Sequence, residues 1–172
     1  LGGKGKTKMY WAYTDDAYST LTTRPELLLE YPDPSIQVLD ADIYPMKDGS
    51  YVMTYVAQEG PAGIKIAKSN YINRGYVYEA PQIDFEPRSC EAPNVWKRIG
   101  EDKWVLMYDI FSINPHNFGF AETTDFVHFE HLGHFDKGVM KRTNFEVQKH
   151  GSVIHLTKKE ARKLAAHYGM KL

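Results

Sequence analysis

The 172 residues are enough for one domain with a hydrophobic core, and hydrophobic residues make up 42% of them. The 21 basic and 22 acidic side chains nearly cancel, so the charge predicts neither a nucleic-acid partner nor binding to an anionic membrane. No apolar run reaches the roughly 20 residues of a membrane span, and the one cysteine cannot form an internal disulfide.

Short strand-like segments recur along the chain, beginning with residues 9–16 (MYWAYTDD). The clearest pair is 48–58 and 101–111, where a polar turn precedes large alternating apolar residues 53 positions apart. Each is followed by a second strand-like run, at 63–70 and at 118–125. A period of about 50–55 residues built from short strands is typical of β-propeller blades, and a β-sandwich is the alternative.

We therefore predict a single all-β domain over residues 1–172 that consists of blade-like units. Proline-rich connectors at 31–35 and 80–87 separate these units and exclude helices there. The units span about 9–35, 36–87 and 88–147, and a final inner strand and helix span 148–172.

Only the C-terminal end has a helical pattern. In 156–169, Thr157 precedes Glu160 by three positions, which is a capping box, and Gly169 is a natural stop. Four apolar residues at helical spacing predict a packing face on this helix. They are Ala161, Leu164, Ala165 and Tyr168.

Three segments each place one ionisable residue shortly before an apolar strand. They are 38–45 (VLDADIYP) with Asp40, 89–97 (SCEAPNVWK) with Glu91, and 148–156 (QKHGSVIHL) with His150. Inner strands of a propeller begin at one end of a central channel, so we expect these side chains to converge. Two neighbouring carboxylates push their pKa values apart, which lets one stay protonated, as glycoside hydrolysis requires.

These segments resemble the blade motifs of glycoside hydrolase family 43, a family of five-bladed propellers. The resemblance covers about residues 9–160 and identifies Glu91 with the general acid, although Ala-Pro stands here where the family has Gly-Pro. It identifies Asp40 with the residue that tunes the pKa of that acid. It identifies His150 with a channel histidine near a metal or water. The reaction needs no cofactor, but a structural calcium ion held largely through water would suit that channel.

The general base of the family is an aspartate of the first blade, which would precede residue 1 of this sequence. Five blades of about 55 residues need roughly 275 residues. We therefore expect this chain to supply about three blades and to require the remaining N-terminal half of the ring as a partner. The resemblance further implies a secreted or periplasmic protein.

The function implied is inverting hydrolysis of oligosaccharides or polysaccharides that contain arabinose, xylose or galactose. Two residues are candidates for substrate binding. Arg142 could clamp a substrate hydroxyl or acid, and Tyr44 could stack on a sugar face. Three alternatives stay open: a non-catalytic carbohydrate-binding propeller, an inactive fragment without the general base, and a phosphorylase. A phosphorylase would need a cluster of basic or histidine residues, which these motifs do not contain.

Two further residues near the candidate acid have simpler interpretations. Cys90 could act as a nucleophile with His150 as its base, but the motif has no Asn or Asp that would orient this histidine. We therefore interpret Cys90 as a small buried thiol. Asp42 lies two residues after Asp40, and we interpret it as a structural group or as a neighbour that supports the site.

Overall fold

The computed structural model describes residues 7–139 and 148–171, and nearly all of the regular structure there is β-strand. The all-β class predicted from the sequence is confirmed. The strands are β1 Tyr10–Trp11, β2 Glu26–Leu27, β3 Val38–Pro45, β4 Tyr51–Gln58, β5 Ala62–Ser69, β6 Val77–Tyr78, β7 Glu91–Lys97, β8 Trp104–Ile110, β9 Asn117–Thr123 and β10 Phe129–His134. A 3₁₀ helix, Phe135–Lys137, follows β10, and one α-helix, α1, covers Lys158–His167.

Two four-stranded antiparallel sheets follow one another along the chain, and in each the strands pair in chain order. We call β3 to β6 the first sheet and β7 to β10 the second sheet. A two-stranded ribbon of β1 and β2 precedes both. The two sheets thus repeat one topology, as the internal sequence similarity indicated.

Alternate residues of the central strands face two different cores. On β4, Val52 and Val56 pack toward the second sheet, whereas Met53 and Tyr55 pack toward the N-terminal ribbon. This burial on both faces explains why β4 is apolar throughout. The core between the sheets contains Ile64, Ile66, Cys90, Trp104, Leu106, Tyr108 and Phe126 among others.

Strands β3 and β7 begin with the same irregularity. The pairing of β3 with β4 shifts between Leu39 and Asp42, and the pairing of β7 with β8 shifts between Glu91 and Asn94. Such bulges bend a strand and redirect its side chains, often beside functional sites.

Residues 148–156, predicted as an inner strand, have no regular secondary structure. The segment is tied to the second sheet by the backbone N–H of Val153, which donates to Asn94 Oδ1 at 2.8 Å. The strand prediction is wrong here, because no strand in the described part of the chain pairs with this segment.

The predicted helix is confirmed as α1, with both hydrogen bonds of the capping box between Thr157 and Glu160. Gly169 follows with a φ of 64°, a left-handed conformation that suits glycine at a helix end. The predicted packing face is largely wrong, since only Ala165 is buried and Leu164 and Tyr168 stay exposed. No described helix is long and apolar enough to cross a membrane.

Candidate functional site

Three ionisable side chains meet at the start of β7: Glu91, Asp109 and His150, which we call the carboxylate–histidine cluster. Glu91 lies opposite Asp109 across the β7–β8 pair, so the antiparallel register brings the two carboxyl groups together. His150 Nε2 lies 2.9 Å from Glu91 Oε1 and 3.9 Å from Asp109 Oδ2. The structure therefore brings Glu91 and His150 into contact from positions 59 residues apart.

Asp109 is the buried member of the cluster, with none of its surface exposed. Neither carboxyl oxygen has a hydrogen bond of good geometry within the described residues. Burial raises the pKa of Asp109, and the nearby charge of Glu91 adds to the rise, while His116 and His150 oppose it. The structure thus holds a carboxyl group that resists ionisation directly beside the candidate acid.

Two basic side chains face Glu91 from the segment that precedes the helix. The ammonium of Lys149 lies 3.4 Å from Glu91 Oε1, on the same oxygen that contacts His150. The Glu91 side chain remains 18% exposed, whereas Asp109 is sealed. Glu91 is therefore the carboxyl group of this pair that can contact a substrate.

Asp40 acts on the cluster through the backbone. Its Oδ2 accepts a hydrogen bond of 3.1 Å from the backbone N–H of Ala92, the residue that follows Glu91. Asp40 on the first sheet thereby fixes the start of β7 on the second sheet. This contact gives Asp40 a positioning effect on Glu91, while its predicted influence on the pKa of that acid stays a prediction.

Asp42 makes a second link between the sheets. Its Oδ2 accepts from the backbone N–H of Val95 at 2.6 Å and from the Asn94 side-chain amide at 3.4 Å. Burial raises the pKa of Asp42, and these two hydrogen bonds oppose the rise. The interpretation of Asp42 as a structural neighbour of the site agrees with these contacts.

The sequence pattern treats Asp40, Glu91 and His150 as equivalent positions, but the backbone places Glu91 one residue too early. The left-handed positions are Asp40, Ala92 and His150, with φ of 56°, 48° and 51°. Glu91 comes one residue before such a position, where the first sheet has Leu39. The three predicted residues still lie around the start of β7, but Glu91 reaches it from a different backbone position.

The two predicted substrate-binding residues, Arg142 and Tyr44, have different outcomes. Arg142 lies outside the described residues. Tyr44 packs edge-on against Trp104, with ring centroids 6.2 Å apart, in the core between the sheets. Trp104 and Asp109 are at opposite ends of β8, about 17 Å apart at the usual rise of a strand.

Cys90 lies next to Glu91 but is completely buried in the core. Burial raises the pKa of its thiol, which keeps the sulfur protonated and unreactive. The cysteine-nucleophile alternative therefore receives no support from its surroundings.

Sequence reasoning missed Asp109 and His116. Asp109 is the only charged residue in the strand WVLMYDI, and a carboxylate inside an apolar run was a usable signal. His116 follows in the loop after β8, and its Nδ1 lies 3.7 Å from Asp109 Oδ1. Its role depends on where that loop folds, which the sequence did not show.

The donor set of the cluster is a poor match for the calcium ion that the sequence suggested. Calcium takes six to eight oxygen ligands, whereas the cluster offers two carboxylates and an imidazole within 4.8 Å of one another. Oxygen ligands beyond these would have to come largely from water. The predicted metal contact of His150 stays a prediction.

Comparison with known proteins finds similarity at the level of family and fold. Residues 2–162 match the model of a family related to glycoside hydrolase family 43 and described as "Probable glycosyl hydrolase domain". No curated protein sequence matches the chain.

Two solved structures resemble the fold. One is a thermostable family-43 glycoside hydrolase, with 18% identity and a TM-score of 0.53 over 72% of this chain. The other is a candidate glycoside hydrolase from Bacteroides ovatus ATCC 8483, with 16% identity and a TM-score of 0.45 over 55% of this chain. The matches span 45% and 30% of the lengths of those two proteins.

Proposed function

We propose that this chain, which belongs to the family-43-related group of glycosyl hydrolase domains, supplies the proton-donating side of an inverting glycosidase site. Glu91 is the general acid, Asp40 positions it, and the remaining part of the site comes from outside the described residues. The proposed substrates are oligosaccharides or polysaccharides that contain arabinose, xylose or galactose.

One observation carries the proposal: a partly exposed Glu91 lies against a fully buried Asp109 at the start of a strand. Two carboxyl groups this close do not readily both carry a charge, so the pair tends to retain a proton. Asp109 cannot reach a substrate because it is sealed from solvent. Glu91 is the route by which that proton reaches the leaving oxygen of a glycosidic bond.

Asp109 does not serve as the general base in this proposal. Inversion needs the two carboxyl groups about 6.5–9.5 Å apart so that a water molecule fits beside the sugar. The ligand atoms of Glu91 and Asp109 lie within 4.8 Å of each other, and Asp109 is buried. The general base is therefore proposed to be a carboxylate on the opposite side of the site. The first-blade aspartate of the family has that role.

The proposed architecture is a five-bladed propeller in which the two sheets are neighbouring blades. Its support is the repeated meander topology, the packing of one sheet on the next, and the fold similarity to the family-43 structure. In such a ring the starts of β3 and β7 would face a common channel.

The test is the activity of the complete polypeptide that contains this chain, measured on nitrophenyl glycosides and on unactivated disaccharides of pentoses and galactose. Replacing Glu91→Gln removes the proton donor, so hydrolysis of disaccharides should slow by about 100-fold or more. Nitrophenyl glycosides need less acid assistance and should be affected far less. Glu101→Gln, at an exposed position in the β7–β8 hairpin, is the matched control. Equal loss on both substrate classes, or full activity of Glu91→Gln, would refute the assignment.

A non-catalytic carbohydrate-binding function is the second candidate, and the contacts of Glu91 favour it. Its Oε1 already contacts His150 Nε2 at 2.9 Å and the Lys149 ammonium at 3.4 Å, so this oxygen is occupied by the protein's own side chains. Calorimetric titration with the same sugars separates the candidates. Binding without turnover by the complete polypeptide supports this second function, whereas turnover that depends on Glu91 excludes it.

A further inference from the structure

A bulge in β10 turns two histidines to the same face of the second sheet. On a regular strand, residues three positions apart point to opposite faces. The register of β10 against β9 shifts by one residue between His131 and Gly133, so His134 instead of Gly133 lies opposite Gly119. His131 lies opposite Ala121, on the same face as Gly119. The φ of Gly133 is 111°, a conformation that favours glycine at this bulge.

Glu86 reaches this face from the connector between the two sheets. Its Oε1 lies 2.7 Å from His134 Nε2 and 3.9 Å from His131 Nε2. All three ligand atoms lie within 4.8 Å of one another. One carboxyl oxygen and the Nε2 atoms of two imidazoles therefore converge on one point, as a group separate from the carboxylate–histidine cluster.

The surrounding residues hold Glu86 in place. The Tyr108 hydroxyl donates to Glu86 Oε1 at 3.2 Å, and Tyr108 lies over Gly119, where a Cβ atom would meet its ring at 2.2 Å. Asp84 accepts a hydrogen bond from the backbone N–H of Glu86 at 3.1 Å. Glycine at position 119 thus leaves room for the ring that orients the carboxylate.

The histidines are oriented as well. The His131 ring stacks on Phe85, with a centroid distance of 5.3 Å and an interplanar angle of 13°. The Glu86 side chain is only 9% exposed, whereas His131 and His134 are 35% and 29% exposed. The three ligand atoms are therefore set at the edge of a packed core with access from solvent.

We propose that Glu86, His131 and His134 bind a divalent cation of the zinc class. Zinc prefers imidazole nitrogen and carboxylate oxygen at about 2.0–2.2 Å, which puts tetrahedral ligand atoms about 3.4 Å apart. The separations of 2.7 and 3.9 Å lie on either side of that value, so small side-chain movements complete the site. Zinc replaces the direct contact between Glu86 and His134, and water takes the fourth position.

A hydrogen-bonded Glu86–His134 pair alone would not explain the second histidine. His131 Nε2 is too far from the carboxylate for a hydrogen bond, yet it points at the same oxygen and is held by a stacked ring. A cation between the three groups also compensates the charge of the nearly buried Glu86. It would fasten the connector before β7 to the edge strand β10. This site does not depend on the proposed glycosidase function.

The experiment is a zinc titration of the full, tag-free chain, with a chromophoric chelator as competitor and the shift of the unfolding temperature as a second readout. One equivalent of zinc should bind with a dissociation constant in the micromolar range or below and raise the unfolding temperature. Binding should weaken as the pH falls, because protons compete with zinc for its ligand atoms.

Variants locate the site. His131→Ala and His134→Ala should each weaken binding at least tenfold, and Tyr108→Phe, which removes only the orienting hydrogen bond, about tenfold. His128→Ala, an exposed histidine in the turn before β10, is the matched control. His150→Ala tests whether the carboxylate–histidine cluster binds the metal instead. The proposal is overturned if zinc does not bind at micromolar concentration, if both histidine variants bind like the unchanged chain, or if His150→Ala abolishes binding.

Discussion

The entries to β3 and β7 share one backbone path but carry different side chains. Each has a register shift and a left-handed residue, Asp40 in one and Ala92 in the other. Two positions later, Asp42 and Asn94 each accept a backbone N–H from the following unit of the chain. Only β7 has an acid immediately before the left-handed residue, namely Glu91.

This difference distinguishes residues that serve the repeated fold from residues that serve the candidate site. An oxygen acceptor recurs at Asp42 and Asn94, and each links its strand to the following part of the chain. Glu91 stands where the first sheet has the apolar Leu39, so the repeat itself does not require an acid there. A departure from the repeat at this position is what identifies Glu91 as a functional candidate.

The largest effect on this comparison is expected from the hydrogen bonds that Asp42 and Asn94 accept. Asp42→Ala leaves the Val95 N–H without its acceptor and should lower the free energy of unfolding by about 2 kcal/mol, since the acceptor is charged. Asn94→Ala removes a neutral acceptor from Val153 and should cost about 1 kcal/mol. Urea unfolding of both variants measures the difference.

Asp42→Asn is the control for that pair, because it keeps an oxygen acceptor and removes the charge. It should lose less stability than Asp42→Ala. If Asp42→Ala were no more harmful than Asn94→Ala, the two positions would be equivalent despite the charge of one, and our account of this link would be incorrect.

A smaller difference in stability loss is expected between variants of Tyr55 and Tyr108, which occupy matching positions on β4 and β8. Burial raises the pKa of both phenols, so both keep their protons. The Tyr108 hydroxyl bonds to Glu86, whereas the Tyr55 hydroxyl has no partner among the described residues. With a chelator present, Tyr108→Phe should cost about 1 kcal/mol and Tyr55→Phe nothing, or should stabilise slightly. Thermal unfolding with calorimetry checks this, and equal losses would contradict it.

The smallest effect concerns the pH dependence caused by Asp109. Its pKa is raised above the ordinary 3.8, so between these values the folded state holds a proton that the unfolded state has lost. Stability therefore falls as the pH rises through this interval, and the loss persists at neutral pH. Asp109→Asn removes that loss, so its unfolding free energy relative to the unchanged chain should be higher at pH 7 than at pH 4.

The measurement is the difference in unfolding free energy between Asp109→Asn and the unchanged chain at both pH values. A difference that stays constant with pH would show that Asp109 is not the group responsible.

Much of the fold could be predicted from residue patterns. The bounds of β3 coincide with the segment 38–45, and the capping box of α1 follows from Thr157 and Glu160 alone. These features depend on neighbouring residues, whose spacing decides which hydrogen bonds can form. The strand predicted over 148–156 did not form, because a strand also needs a partner and partners are set by the tertiary fold.

The sequence by itself determined the repeated strands, the capped helix and the presence of Glu91 at a strand entry, because short-range hydrogen bonding and apolar alternation fix such features. The tertiary structure decided that Asp109 lies opposite Glu91, that His150 closes on the same oxygen, and that one bulge aligns His131 with His134. Strand register and packing bring these distant residues together, and a shift of one residue in that register reverses the face on which a side chain lies.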